Sequence, residues 1–430
     1  MTTCVDTVVV GAGHAGLAVS WFLTRAGAEH VLLDRGRVAE RWRSERWDSL
    51  HLLTPNWMSR LPGWSYTGPD PDGYLSAASL VEHLERYAAS FSAPVMQHTT
   101  VLEVAATQLP GRARFRIVTD AGTWYARNVV LAAGPHAKPR LPAGLAGLSP
   151  RVNVVPSAAY RSPGGLPPGG VLVVGASASG VQIADELISA GREVSLAVGR
   201  YTRMPRRYRG MDAFWWLEAT GRLARTIDDV PDREAARRET SLQLVGRRDP
   251  GASNDDLDLL SLHVRGVRLL GRLDGVTGTG ASFAADLADR VAEADRRMHR
   301  FLDAVDAYAE RVGLAREVLP GVRPLPLDLP DPVRRLDLAT EKIGTVLLAT
   351  GYRPDHSWLH LPILAADGTI RQHRGVTRVQ GLYVVGQYFQ HRRDSGFIDG
   401  ARHDARSVVD NLLGREASRP AAPVMGARAA

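Results

Sequence analysis

Short apolar runs followed by glycine occur twice along the chain. Residues 8–10 lead into a glycine-rich segment and an apolar segment at 17–23, and residues 171–174 lead into the same arrangement, with an apolar segment at 181–187. The runs predict buried strands, and the longer segments predict helices that pack on them. A further strand is predicted after each helix, at 31–33 and 194–198. The pattern therefore predicts an α/β fold with two Rossmann-like dinucleotide-binding domains.

The rest of the chain is divided by these two units. The segment 135–170 is rich in proline and glycine and is predicted to carry the chain between domains, and a strand ending near Gly351 is predicted to carry it back. The region 203–335 matches neither unit and includes a predicted amphipathic helix over 284–312. The second domain is thus predicted to lie within the first and to carry a helical insertion. The Ala/Pro-rich tail, 415–430, is predicted to be disordered.

Composition narrows the class of protein. The 430 residues are 44% hydrophobic and 23% charged, as in ordinary globular proteins. The net charge of +7 comes from arginines spread along the chain, so nucleic-acid binding is not expected. No apolar run is long enough to span a membrane and the start lacks a signal peptide's basic segment, so a cytoplasmic location is expected. Cys4 is the one cysteine, which excludes an intramolecular disulfide.

The first glycine-rich segment has the spacing of a dinucleotide-binding turn. Gly11 permits a tight turn, Gly13 lets a pyrophosphate approach the backbone, and Gly16 lets the helix pack closely on its strand. The N-terminus of that helix offers free N–H groups to the phosphates. Asp34 ends the next strand, where a carboxylate accepts hydrogen bonds from a ribose diol. The alternative is a dinucleotide fold that binds no nucleotide.

The second glycine-rich segment differs in two ways. Ser177 occupies the central position, where it remains compatible with a close approach of phosphate. The strand that follows ends without an acid, and Arg200 stands near that position. An arginine there suits the 2′-phosphate of NADPH, which favours NADPH over NADH. The alternative is that these arginines form a solvated loop.

Three further segments resemble the flavoproteins that bind two dinucleotides, FAD on the first unit and NAD(P)H on the second. They are Leu-Ala-Thr-Gly-Tyr at 348–352, the similar 129–134, and the late strand with its glycine at 381–386. Disulfide reductases of this group pass electrons through a cysteine pair, which this chain lacks. Among flavoproteins of this group, the monooxygenases, oxidases and electron-transfer reductases remain as possible classes for this chain.

The segment 40–55 resembles the flavin-facing loop of class B flavin-containing monooxygenases, a family that includes auxin-forming members. The likeness lies in Trp42 and in the Ser-Leu-x-Leu stretch of 49–52. It implies that Trp42 packs on the cofactor and that Arg41 and Arg46 approach phosphates. Ordinary interdomain packing is the alternative for Trp42 and for Trp47.

The resemblance implies a division of the chain and a set of site residues. FAD is expected on 1–150 and 346–414, and NADPH on 151–345; no metal is expected. Candidates for a catalytic role are His51 and Tyr160. The residues expected at the two cofactors are Gly11, Gly13, His14, Ala15, Gly16, Asp34, Arg35, Arg41, Trp42, His51, Leu52, Val101, Ala133, Gly134, Gly175, Ser177, Ala178, Ser179, Gly180, Arg200, Thr202, Gly351, Gly386, Gln387, Gly396 and Phe397.

The chain departs from the family pattern in the link before the second unit and in the flavin-facing loop. Pro156 stands where the family has a histidine thought to coordinate movement around NADP, although Ser157 and Tyr160 are retained. Leu53 stands where flavin-containing monooxygenases place an asparagine. The fingerprint of Baeyer–Villiger enzymes is incomplete. The first departure puts the coupling of reduction to oxygenation in doubt.

The resemblance implies a monooxygenase that inserts one atom of O2 into a small molecule through a C4a-(hydro)peroxyflavin, at a soft nitrogen or sulfur atom. An NADPH oxidase or diaphorase is one alternative, and a noncatalytic FAD-binding sensor or scaffold is another. The basic run 201–210 suggests either an entrance for an anionic substrate or, preferably, a lid over cofactor phosphates. Residues 392–394 are interpreted as a solvated loop, and the alternative is that they shape the mouth of the substrate site. The sequence does not determine the oligomeric state, and a homodimer is one alternative.

Overall fold

The computed structural model describes residues 2–108, 111–142, 144–237, 242–243, 245–246, 256–329 and 331–415. Two sheets organise these residues, a ten-stranded mixed sheet and a five-stranded parallel sheet, and helices pack on the faces of each. The chain forms most of the first sheet, then the second, and returns to the first. The tail predicted to be disordered lies, from residue 416 onward, outside the described residues.

The first part of the chain builds one sheet. Its elements are β1 (Thr2–Val10), α1 (His14–Arg25), β2 (His30–Leu33), α2 (Glu40–Ser44), α3 (Ala77–Ser90), β3 (Val95–Met96), β4 (Val101–Ala106), β5 (Phe115–Thr119) and β6 (Gly122–Leu131). β1 lies between β2 and β6 and is parallel to both. Along β1, Val9 belongs to the core beneath α1, whereas Val8 and Val10 belong to the opposite core. This alternation is expected of a strand buried on both faces.

The middle of the chain builds the second sheet and the insertion. Its elements are β7 (Lys138–Pro139), β8 (Asn153–Pro156), β9 (Gly170–Val174), α4 (Ala178–Ser189), β10 (Val194–Ala197), β11 (Thr202–Arg203), β12 (Arg207–Tyr208), β13 (Met211–Asp212), α5 (Ala213–Ala219), α6 (Arg233–Arg237), β14 (Leu242–Gln243), β15 (Val245–Gly246), β16 (Asp256–Leu257), α7 (Leu259–Val264), β17 (Arg268–Leu270), β18 (Leu273–Thr277), β19 (Gly280–Phe283), α8 (Leu287–Arg311), β20 (Arg335–Asp337) and β21 (Ile343–Leu348). The second sheet has the order β17-β10-β9-β21-β8, with all neighbours parallel.

The last part returns to the first sheet. Its elements are β22 (Tyr352–Arg353), β23 (Leu359–His360), β24 (Gln372–His373), β25 (Val376–Thr377), β26 (Leu382–Val384) and α9 (Ile398–Leu412). β26 pairs in parallel with β6, and α9 packs on α1. Where the chain crosses between the sheets, β7 and β22 pair antiparallel. The arrangement confirms the predicted fold of two Rossmann-like units, the second within the first.

The insertion is less separate than the sequence predicts. The amphipathic helix is confirmed as α8, whose apolar face packs on α5. Within 203–335, however, β17 joins the second sheet beside β10, and β18 and β19 form an antiparallel sheet with β20. The expectation that this whole region lies outside the Rossmann unit was therefore wrong. No helix of the described residues is long and apolar enough to cross a membrane.

Candidate functional site

The first glycine turn lies at the carboxyl end of β1. Gly11 has φ +109°, and a Cβ there would lie 2.7 Å from the carbonyl oxygen of Ala132. A Cβ on Gly16 would lie 2.0 Å from the oxygen of Gly11, so α1 packs on the turn too closely for a side chain. A Cβ on Gly13 would meet no atom within 4 Å. The fold therefore requires Gly11 and Gly16, whereas Gly13 leaves space for a ligand.

The carboxylate of Asp34 reaches this turn from the end of β2. Its Oδ2 accepts a hydrogen bond from the N–H of Ala12 at 2.7 Å, and its Oδ1 accepts one from Gly36 at 2.9 Å. The acid thus lies beside the turn, where a ribose diol would meet it. Arg35 pairs with Glu45 on the surface instead.

Other predicted residues of the first unit come to the turn from β6 and β26. Ala133 and Gly134 follow β6, which ends beside β1. Gly386 follows β26, and a Cβ there would lie 3.0 Å from the Cβ of Ala15 in α1. The structure therefore brings together residues that are far apart in sequence. The carboxyl end of a parallel sheet is where such folds bind their ligands.

The loop between β26 and α9 carries three more predicted residues. The N–H of Gln387 donates to Oε1 of Gln390 at 3.3 Å. A Cβ on Gly396 would lie 3.1 Å from Cδ1 of Tyr388, and Phe397 is the N-cap residue of α9. The start of α9 is thus held close to the segment that follows Gly386.

The second glycine turn repeats the first. A Cβ on Gly175 would lie 2.4 Å from the oxygen of Ala349, and a Cβ on Gly180 would lie 1.8 Å from the oxygen of Gly175. Gly351, at φ +82°, follows the strand beside this turn. Arg200 is exposed beyond the end of β10. The remaining predicted residues at this end of the sheet are Ser177, Ala178, Ser179 and Thr202.

Neither of the helices that follow the glycine turns has a side-chain cap. Ser76 caps α3, Asp212 caps α5 and Asp258 caps α7, each by accepting a backbone N–H. Gly13 before α1 and Ser177 before α4 make no such bond, although serine has a hydroxyl. The first N–H groups of α1 and α4 are thus left for an anion. Together with the space at Gly13 and the carboxylate of Asp34, this donor set fits a dinucleotide.

The 40–55 segment lies between the cores of the two units. Trp42 packs against both cores, and the guanidinium of Arg46 lies 5.2 Å from the centre of its ring. Trp47 is buried in the core of the second unit, as interdomain packing predicts. His51 is exposed, and its Nδ1 lies 2.9 Å from the carbonyl oxygen of Ser49. Leu52 is fixed by its N–H, which donates to Leu75.

Two predicted residues lie within cores. Tyr160 is 1% exposed and donates its hydroxyl to Glu186 at 2.8 Å, so it braces α4. A hydroxyl engaged in this way is not presented to a substrate. Val101 begins β4 opposite Thr119 of β5 and packs on the face of the first sheet away from α1.

A cluster that the sequence did not indicate lies between the two sheets. We call it the crevice cluster; its members are His14, Arg41, Arg46, His136 and Tyr388. Burial, reinforced by the charges of Arg46 and Arg41, lowers the pKa of His136 to about 3. Burial lowers the pKa of His14 to about 4, and its Nε2 has no hydrogen-bond partner within the described chain. The one sequence signal was position, since His136 and Tyr388 each follow a strand-ending glycine by two residues.

Three of the four arginines in the basic run 201–210 are paired with acids, and the fourth, Arg207, is exposed. Arg203 is buried against Asp258 and Asp295. Arg206 pairs with Asp212, and Arg209 with Asp306. These charges are neutralised within the insertion, so they offer no attraction to an anionic substrate. Residues 392–394 are likewise not a solvated loop, because Asp394 is 1% exposed and pairs with Arg392.

The chain resembles known oxidoreductases over most of its length. The pyridine nucleotide-disulphide oxidoreductase family matches residues 8–209. An uncharacterized CzcO-like oxidoreductase of Geobacillus kaustophilus is 30% identical over 417 residues, which cover 96% of this chain and 99% of that protein. Indole-3-pyruvate monooxygenase YUCCA6 of Arabidopsis thaliana is 32% identical over 219 residues, 49% of this chain and 52% of that protein.

Solved structures share the fold at lower identity. A flavin-containing monooxygenase from Stenotrophomonas maltophilia has a TM-score of 0.65 at 21% identity, covering 96% of this chain and 99% of that one. A steroid monooxygenase bound to NADP has a TM-score of 0.55 at 16% identity, covering 96% of this chain and 85% of that one. With two nucleotide turns, an acid at the first and one cysteine, the chain belongs to the class B flavin-containing monooxygenase family of FAD- and NADPH-dependent oxidoreductases.

Proposed function

We propose that this monooxygenase transfers one oxygen atom of O2 to a soft nucleophilic nitrogen or sulfur atom of a small molecule, with NADPH as electron donor. When bound, the flavin supplies hydride acceptance and oxygen activation. The chain's own residues bind the cofactors, orient them and exclude water. The choice of atom rests on the chemistry of the crevice cluster.

The charged groups that act on His136 in the crevice cluster include no carboxylate, and Glu45 lies at the edge of the cluster, 3.8 Å from Nε of Arg41. With pKa values near 4 and 3, His14 and His136 are neutral at pH 7, and Tyr388 is a phenol. Arg41 and Arg46 are cations. A thioether or tertiary amine attacks an electrophilic oxygen with a lone pair and need not lose a proton first. A cluster of neutral and cationic donors is therefore sufficient for this class of substrate, and this observation carries the proposal.

We assign the two cofactors to the two turns. FAD is proposed on 1–150 and 346–414, and NADPH on 151–345. The residues proposed to hold FAD are Gly11, Gly13, His14, Ala15, Gly16, Asp34, Arg41, Trp42, His51, Leu52, Ala133, Gly134, Gly386, Gln387, Gly396 and Phe397. Those proposed to hold NADPH are Gly175, Ser177, Ala178, Ser179, Gly180, Arg200, Thr202 and Gly351. Arg35 and Val101 have no contact that supports such a role.

The experiment is a product assay under ¹⁸O2 with the FAD-loaded protein and NADPH. The probes are an aryl methyl sulfide, a dialkylaniline, a cyclic ketone and a 2-oxo acid. Consumed NADPH, hydrogen peroxide and labelled product are measured together. We expect a sulfoxide or N-oxide that carries one ¹⁸O atom per NADPH consumed. Labelled lactone, or decarboxylated acid, as the sole product would overturn the choice of nitrogen or sulfur.

An oxidase remains the second candidate because of Pro156. This proline ends β8 at the carboxyl end of the second sheet, the end at which NADPH is proposed to bind. If, with every probe, the hydrogen peroxide formed equals the NADPH consumed, the protein acts as an oxidase and the oxygen-transfer proposal fails. A Pro156→His variant that converts peroxide release into labelled product would trace that failure to this position.

A further inference from the structure

Four strands direct their carboxyl ends towards the space between the two sheets. In the first sheet they are β6 and β26, which are neighbours. In the second they are β8 and β21, also neighbours. The segments that follow these strands carry His136, Tyr388, Ser157 and Tyr352. Each sheet therefore contributes two side chains to the same crevice.

These four side chains form a continuous bridge. His136 lies at its centre: Nε2 hydrogen-bonds the hydroxyl of Tyr388, and the rings meet edge to face at 5.4 Å. The imidazole also meets the ring of Tyr352, edge to face, with 5.3 Å between the ring centres. The hydroxyl of Tyr352 lies 3.1 Å from Oγ of Ser157. The bridge thus runs Tyr388–His136–Tyr352–Ser157, from the first unit to the second.

The backbone alone joins the units weakly at this point. The two crossing segments pair through β7 and β22, over Lys138–Pro139 and Tyr352–Arg353, with one further backbone hydrogen bond from Arg140 to the oxygen of Gly351 and an ion pair between Lys138 and Asp355. Two residue pairs make a short ladder that bends easily. The side-chain bridge lies beside this ladder and ties it to the ends of β26 and β8. Ser157 is itself fixed, since its N–H donates to the oxygen of Leu348 at 3.0 Å.

The groups around the bridge keep its central ring neutral. Arg46, Arg41 and His14 face His136 from the first unit, as does the phenol of Tyr388 on the loop between β26 and α9, whereas the phenol of Tyr352 faces it from the segment after β21. Burial, reinforced by the two arginine charges, disfavours a third positive charge on this ring. A neutral imidazole accepts the hydroxyl hydrogen of Tyr388, whereas an imidazolium does not. The bond between them therefore persists over the whole range near neutral pH.

We propose that the Tyr388–His136–Tyr352–Ser157 bridge is a positioning device that sets the spacing of the two nucleotide units and thereby the affinity for the nicotinamide dinucleotide. Its members act through geometry and do not carry the reaction. Tyr388 is 47% exposed, so its hydroxyl bond is not needed to fill a core. The inference concerns the cofactors alone and does not depend on the substrate atom proposed above.

The test uses the FAD-loaded protein and NADP⁺ without substrate or oxygen. Tyr388→Phe and Ser157→Ala each remove one hydroxyl from an end of the bridge. Tyr383→Phe is the matched control, because Tyr383 lies on β26 but packs in the core beneath α1. The Kd for NADP⁺ is measured by calorimetry, the Kd for FAD by fluorescence, and the rate of flavin reduction by NADPH anaerobically.

We expect each bridge variant to raise the Kd for NADP⁺ about 5-fold, as for the loss of one hydrogen bond. FAD affinity should stay within about 2-fold of wild type, and the control should match wild type in both. Because the bridge acts as one unit, the variant that combines Tyr388→Phe and Ser157→Ala should have a Kd for NADP⁺ about equal to that of the weaker-binding single variant. Wild-type NADP⁺ affinity in both single variants, strictly multiplicative effects in the double, or loss of FAD instead of NADP⁺ would each overturn the proposal.

Discussion

The guanidinium of Arg206 donates to the carbonyl oxygen of Leu53 at 2.6 Å, which fastens the insertion to the 40–55 segment. Arg206 is 3% exposed and also pairs with Asp212. Its guanidinium lies 4.1 Å from the centre of the Tyr74 ring, and the Tyr74 hydroxyl donates to Asp212 at 3.0 Å. Burial raises the pKa of Tyr74 to about 12, so this hydroxyl stays a donor. The cluster therefore fixes a loop that family resemblance places at the flavin.

Replacing Arg206 with methionine should destabilise the protein and loosen FAD. Asp212 would remain as a buried charge without its cation, which costs about 3–5 kcal/mol. The carbonyl of Leu53 would lose its donor, so FAD affinity should fall as well. Urea unfolding and FAD titration measure the two effects.

Two further variants separate charge from position. Arg207→Met is the control, because Arg207 is the exposed neighbour; it should unfold like wild type. Arg206→Met combined with Asp212→Asn removes the lone charge and keeps an N-cap acceptor for α5. Stability should recover in this double variant while FAD affinity stays low. Full recovery of FAD affinity would show that the Leu53 contact does not position the loop.

Gly13 and Gly16 should respond in opposite ways to the same substitution. Gly16→Ala places a Cβ 2.0 Å from a backbone oxygen and should unfold the first unit or cost several kcal/mol, roughly as overpacking does. Gly13→Ala meets no atom within 4 Å, so it should fold but bind FAD at least about 10-fold more weakly. Thermal unfolding of the apoprotein and FAD titration distinguish these outcomes. A Gly13→Ala variant with wild-type FAD affinity would contradict the placement of pyrophosphate at this turn.

Arg200 should determine the preference for NADPH. Its side chain is exposed beyond β10, where charge-assisted hydrogen bonds to a 2′-phosphate can form. Arg200→Ala should raise the KM for NADPH about 10-fold and leave the KM for NADH unchanged. Arg207→Ala, which removes another exposed arginine, should alter neither. An equal rise for both nucleotides in Arg200→Ala would assign the arginine a role other than phosphate recognition.

The sequence predicted the two glycine turns because their geometry is local. Each strand, turn and helix is contiguous, and the last glycine of each turn is dictated by the backbone oxygen of the first, Gly11 for Gly16 and Gly175 for Gly180. The long α8 was equally accessible through its 3.6-residue period. β17 was missed because three residues, Arg268–Leu270, are too few to show a period.

The crevice cluster and the arginine pairs were missed for a different reason. His136 and Tyr388 are 252 residues apart in sequence, and Tyr352 and Ser157 are 195 apart. Arg206 lies six residues from Asp212, but Arg209 finds Asp306 across 97 residues. Only the folded chain brings such partners together, so a basic run in sequence does not reveal whether its charges face solvent. The strand-ending glycines identify which segments enter the crevice and do not identify which side chains meet there.

Asp404 gives the fold a pH dependence that one substitution should remove. It lies on α9, 1% exposed, with 3.9 Å between its Oδ1 and Nδ1 of His391. Burial, reinforced by Asp394, raises the pKa of Asp404 to about 7, and burial lowers that of His391 to about 4, so both are neutral in mild acid. A carboxyl whose pKa is raised on folding contributes stability that is present below its unfolded pKa of 3.8 and lost as pH rises through about 7.

Asp404→Asn should therefore gain stability over wild type as pH rises. The difference in free energy of unfolding is measured by urea at about pH 4.5, 6 and 7.5, which span the shift. It should grow by up to about 1.4 kcal/mol per pH unit. It should level off above the folded pKa, because both states of the wild type are then ionised. Asp410→Asn, on the same helix but near the surface, is the control for the loss of an aspartate from α9. A constant difference for Asp404→Asn would mean that this carboxyl is already ionised in the folded protein at mildly acidic pH.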